Sequence, residues 1–116
     1  MATIRLLYWR EIPTQVRVED ESGSVSKILD DRFQQGVDAV AMFDGSSGTD
    51  AYLEAWEWGK EQEITGSPEE VAKEVVDMYN IKFPRDFVAR IRELHQSGNR
   101  DVSPGSIDKW MDDAVI

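Results

Sequence analysis

His95 is the chain's single histidine, and so the one side chain that ordinarily titrates near neutral pH. A catalytic base or metal ligand needs company at fixed spacing: a nucleophile, an orienting acid or further ligands. Glu93 and Gln96 flank His95, but neighbours one or two apart on a helix point in different directions. A histidine near a helix C-terminus is explained by the dipole alone. The acids pair up at Glu19-Asp20-Glu21, Asp30-Asp31 and Asp112-Asp113. None of these has the alternating oxygen ligands and central glycine of a calcium loop. "DGSSGTD" at 44–50 comes nearest, yet it lacks the closing glutamate. As a phosphate loop it fails too, because no lysine follows the second glycine and Asp44 and Asp50 oppose an anion. No serine has a histidine partner that sequence assigns. The expectation is a non-catalytic protein with no metal and no cofactor.

The arginines are the second candidate. Arg5, Arg10 and Arg17 fall in the first 18 residues, where Glu11 is the only acid, although the whole chain has 23 acids against 13 bases. Trp9 beside Arg10 supplies contact area and directional bonding, the usual combination of an interface anchor. The planar guanidinium also suits carboxylate and phosphate. A third candidate is the amphipathic stripe of Ile107, Trp110, Met111 and Ala114, a shape that docks in a groove. The expected partner-binding residues are therefore Arg5, Trp9, Arg10, Arg17, Ile107, Trp110 and Met111. The competing arrangement packs Trp9 in the core and pairs the arginines with the surplus acids.

These residues need elements to hold them. "TIRLLYW" (3–9) and "QVRVE" (15–19) read as two strands of an antiparallel hairpin, with Pro13 interrupting the ladder in a short irregular connection. "DESGSVS" (20–26) reads as a loop. A helix follows, capped by Asp30 or Asp31, with Phe33, Val37, Val40 and Ala41 on one face. It ends near Gly45 and Gly48, and Thr49 and Asp50 start a brief helical turn. Residues 53–58, "LEAWEW", are expected as a third strand because Trp56 and Trp58 are two apart; a helix is the alternative, since Leu, Glu and Ala favour it. "SPEE" (67–70) starts a helix with Ser67 as cap, Pro68 at its first position and two acids at the dipole's positive end. Val71, Val75, Met78 and Tyr79 form its stripe. Pro84 opens the next helix, with Phe87, Ile91 and Leu94 inward and Gly98 as its stop. The expected fold is α+β: a three-stranded antiparallel sheet in ββαβαα order packed against helices, occupying 1–98. Residues 99–116 form a tail with a short amphipathic helix.

Composition narrows the functional classes. A chain of 116 residues, 41% hydrophobic and 31% charged, is one globular domain. Its net charge of −10 repels phosphate backbones, so no nucleic-acid partner is expected, while a partner with a basic surface is steered in. There is no cysteine. The start "MATIRLLYWREIP" does not read as a signal peptide, and no stretch approaches the roughly 20 apolar residues of a membrane span. A cytoplasmic location is expected, with no membrane partner.

"LYWREIPTQVRV", then "DRFQQGVDAVAM" and "GTDAYLEAW", resemble the small bacterial domain family named virulence factor. That domain is also a module of the staphylococcal conserved virulence factor C, beside HEAT-type repeats and a NifU-like scaffold domain. Tyr8, Trp9, Arg10, Ile12, Pro13, Gln15 and Val16 match the family's opening phrase; Glu11 and Thr14 depart mildly. Arg32, Phe33, Met42, Gly48, Asp50, Ala51, Tyr52, Leu53 and Trp56 follow its later pattern, and the likeness covers residues 3–95. The segment after the hairpin, usually basic in the family, is here "EDESGSVSK", and the tail from Asn99 matches nothing in it. The resemblance implies an accessory or adaptor protein working through protein contacts. The alternative is a subunit or maturation factor of an enzyme complex that binds an anionic ligand through the hairpin arginines.

Overall fold

The computed structural model describes residues 2–113. Strands β1 (Ala2–Trp9), β2 (Ile12–Asp20) and β3 (Gly23–Ile28) form an antiparallel meander. Helices α1 (Asp31–Asp44) and α2 (Asp50–Glu54) follow, then β4 (Trp56–Trp58) and β5 (Gln62–Ile64), which both pair with β1. Three more helices complete the described residues: α3 (Pro68–Lys82), α4 (Phe87–Ser97) and α5 (Trp110–Asp113). The fold is α+β as expected, but the sheet has five strands rather than three, in the order β3-β2-β1-β4 with β5 also on β1.

Each departure has a local cause. Residues 23–28 are a strand and not a loop, because β2 is nine residues long and offers β3 a full ladder from Asp20 to Gln15. Serines and a lysine are tolerated there because β3 is an edge. Within 53–58 the helical preference of Leu53 and Glu54 carries α2 through Glu54, leaving only Trp56–Trp58 extended. The hairpin turn is Arg10-Glu11 alone. Pro13 lies inside β2, opposite Tyr8, where the register shifts after Leu7 and frees the ladder from needing its missing N–H. Helix α4 begins at Phe87, three residues beyond Pro84, whose carbonyl instead accepts a hydrogen bond from Arg32.

Asp30 and Thr49 stand at the N-cap positions of α1 and α2 without a side-chain cap hydrogen bond, whereas α3 is capped as expected. The Ser67 hydroxyl accepts from the Glu70 N–H at 3.3 Å, with Pro68 at the first turn. Gly45 and Gly98 take the left-handed conformation that closes α1 and α4. Arg32 reaches across from α1 to the carbonyls of Tyr79, Asn80 and Phe83, neutralising the C-terminus of α3.

Helix α3 lies on the sheet face of Ile4, Val16 and Val18 through Val71 and Ala72. A larger core gathers Trp9 and Ile12 from the hairpin end with Phe33, Val37 and Val40 of α1, Tyr79 and Phe83 of α3, and Phe87 and Ile91 of α4. The chain after Gly98, expected as a docking tail, lies against the same body. Ile107 is buried in the larger core, and Trp110 and Met111 pack half-buried against it. Ala114 of the expected stripe lies outside the described residues.

Candidate functional site

Side chains alternate across a strand, so α3 takes the even positions of β1 and the odd ones form the opposite face. The pairings stack that face into rows across the sheet. The first row runs Ile28, Gln15, Leu7, Trp58, from β3 to β4. The second runs Ser26, Arg17, Arg5, and the third Ser24, Glu19, Thr3, Glu63. Successive rows are about 7 Å apart. The face is thus banded: apolar, then cationic, then acidic.

The apolar band is exposed where a core residue would not be, with Ile28 at 74% and Trp58 at 38%. Arg5 stacks on Trp58, its guanidinium carbon 4.7 Å from the ring centroid. Arg5 and Arg17 stand directly opposite one another, an arrangement that costs stability between like charges. Among the described residues each has only a loose acidic neighbour, Glu61 at 3.6 Å for Arg5 and Glu19 at 3.7 Å for Arg17. Exposed pairs of this kind contribute about 0–1 kcal/mol. Both guanidiniums therefore remain available to a partner.

The other expected contact residues are placed differently. Trp9 is fully buried, its indole N–H donating to the Tyr52 carbonyl at 2.9 Å; it holds α2 against the hairpin and presents no surface. Arg10 sits at φ 50 in the hairpin turn and pairs with Asp44 at 3.3 Å. Behind it Arg100 makes a two-pronged bond to Glu11, Nε to Oε2 at 2.6 Å and Nη2 to Oε1 at 2.8 Å, and reaches Asp44 at 3.2 Å. Burial alone would raise the Asp44 carboxyl. The Ser46 hydroxyl and N–H, Arg100 and Arg10 outweigh it and hold the group below its usual range. The buried Asp44 carboxylate is already paired with Arg10 and competes with any anion for it. This network is internal bracing between hairpin, α1 and the segment after α4. Ile107, Trp110 and Met111 pack on the body, with Arg90 over the Trp110 ring at 5.5 Å.

Of the seven expected residues, the fold brings only Arg5 and Arg17 together on open surface. Leu7, Ile28 and Trp58 complete that surface without having been singled out. The alternation in β1 and β2 was visible, but Ile28 and Trp58 join the row only through cross-strand pairing with segments whose partners a sequence does not reveal.

The profile of the family described as "Virulence factor" matches residues 7–92. Comparison with curated proteins and with solved structures returns no match. The chain belongs to the virulence factor family.

Proposed function

We propose that this member of the virulence factor family is a non-catalytic accessory module that binds a partner protein through the banded open face of its sheet. The observation that carries this reading is the placement of Arg5 and Arg17 opposite each other beside the exposed Trp58 and Ile28. The Arg5–Trp58 stack accounts for one arginine, but sheet packing gives no reason to set a second arginine directly opposite it. Aromatic and arginine side chains are the groups that anchor protein interfaces.

The partner that fits offers apolar side chains to Leu7, Ile28 and Trp58, carboxylates to Arg5 and Arg17, and cations to Glu19 and Glu63. The net charge of −10 speeds the approach of a partner that is basic around this contact.

The test is to isolate partners of the full chain from native extract and measure each by titration against three forms. These are the wild type, an Arg5→Ser/Arg17→Ser form, and a Lys73→Ser control on the exposed side of α3. A partner bound by wild type and control, and lost by the double variant, supports the reading. Equal binding by all three places the contact elsewhere and overturns it. Self-association lost in the double variant, read by sedimentation velocity, would make the occupant a second copy and overturn the accessory role.

A further inference from the structure

A separate site lies on the other side of the sheet. Between β1, β5 and α3 is a cavity of about 390 Å³. Its walls are largely apolar, from Ile4, Leu6, Ile64, Val75 and Met78. The segment after α4 closes one end with Gly105 and Asp108, where Tyr8 and Tyr79 also line the wall.

The chemistry of that end is specific. The Tyr8 and Tyr79 hydroxyls both donate to Oδ2 of Asp108, at 2.6 and 2.7 Å. Each hydroxyl has one proton, and both are spent on the carboxylate. What the tyrosine oxygens have left for the cavity is lone pairs. Oδ1 of Asp108 is buried and has no hydrogen-bond partner among the described residues. Asp108 has no salt bridge among them either; the exposed Lys60 and Gln62 also line the cavity. A carboxylate held away from water without a counter-ion is costly. Burial pushes the Asp108 carboxyl above its usual range, against the two hydroxyls that hold it down. Burial and the nearby carboxylate raise both tyrosines, so they keep their protons.

An end whose Tyr8, Tyr79 and Asp108 side chains offer only lone pairs, with a carboxylate that has no ion pair among the described residues and two flanking aromatic rings, disfavours an anionic head group and favours a cation with N–H donors. The apolar walls call for a hydrocarbon body. From this geometry we infer that the cavity is a binding site for small apolar primary amines, with the ammonium group at Tyr8, Tyr79 and Asp108 and the chain against Ile4, Leu6 and Val75. The site lies on the opposite side of the sheet from the banded face and is independent of the partner reading.

The test uses the full chain and n-hexylamine, followed by shifts of the Val75 and Met78 methyl and Tyr8 and Tyr79 ring resonances. Hexanoate, hexanol and hexyltrimethylammonium serve as comparison probes. Hexylamine should saturate those shifts and bind more tightly than all three. Asp108→Asn keeps an acceptor for the tyrosine hydroxyls and should weaken the amine by about tenfold or more while the melting curve remains cooperative. If that variant fails to fold, Val75→Phe, which fills the cavity from α3, should abolish the shifts. Hexanoate binding as well as hexylamine, unchanged affinity in Asp108→Asn, or amine binding that survives in Val75→Phe would each overturn the assignment. So would absence of binding to wild type together with binding to Lys60→Gln, which would mean that Lys60 itself is the counter-ion.

Discussion

Glu11 and Arg100 are 89 positions apart and nearly inaccessible, at 1% and 6% side-chain exposure. Removing one member of such a pair strands the other charge. Arg100→Met should lower unfolding stability by about 3–5 kcal/mol, measured by urea titration. Replacing Glu11 with Leu as well should recover only part of that loss, because the stranded Glu11 charge is removed while the buried Asp44 still lacks Arg100 and keeps Arg10 alone. Asp44 has a pH signature of its own. Its folded-state carboxyl is depressed, so it favours protonation in the unfolded chain. Its contribution is complete above the unfolded value and is lost as pH falls through the folded one. The stability gap between wild type and Asp44→Asn should therefore narrow as pH is lowered from about 6 to about 3; thermal melts across that range would show it. The excess of arginine near the N-terminus is plain in the sequence, and so is the alternative in which it pairs with acids. Which arginine meets which acid is a matter of long-range contact: Arg10 is held by the buried Asp44, whereas Arg5 and Arg17 have looser partners in Glu61 and Glu19.

Among the elements, the contact between α1 and α4 depends on the smallest residue in the core. A Cβ at Gly36 would run into Cζ and Cε2 of Phe87, and Phe87 is itself stacked on Phe33 at 5.5 Å and 1% exposed. Alanine at position 36 gains about 1 kcal/mol of helix propensity but overpacks a ring with nowhere to go, at about 1–3 kcal/mol. Gly36→Ala is expected to be destabilising overall in denaturant unfolding, the reverse of an exposed glycine in a helix. The N-cap of α3 is simpler: Ser67→Ala should cost about 1 kcal/mol, read the same way. On the open face, Arg17→Thr removes a like-charge pair and adds a β-branched residue, so stability should rise or hold within about 0.5 kcal/mol while partner binding falls. Helices α1 and α3 were legible because their stripes and caps repeat within the chain. Strands β3 and β5 were not, since an edge strand of Ser, Lys and Glu has no alternation of its own and forms only on a ladder supplied by β2 or β1.

For the molecule as a whole, the segment from Asn99 onward bears on stability. It carries Arg100, the partner of Glu11; Ile107, buried in the main core; and Asp108, which ties Tyr8 of β1 to Tyr79 of α3. A chain ending at Gly98 should melt at a temperature lower by on the order of 10 °C or more, as read by scanning calorimetry, and its core resonances should broaden. A truncation that leaves the melting point unchanged would show that this segment is dispensable to the fold.

Local pattern and composition were enough for the α+β class, the hairpin, the starts of α1 and α3, the glycine stops, and the family likeness of the hairpin phrase. All of these rest on interactions within a few residues: caps, turn preferences and the periodicity of one helix or strand. Three other features follow from packing over distance. One is the burial of Trp9 and Ile107, which the sequence offered as contact residues. Another is the assembly of Ile28, Leu7 and Trp58 into one row beside Arg17 and Arg5. The last is the meeting of Tyr8, Tyr79 and Asp108 around one carboxylate oxygen. An apolar or charged side chain looks the same in sequence whether it faces a partner or its own core, and only the positions of residues fifty or a hundred places away (as Asp108 is from Tyr8) settle which.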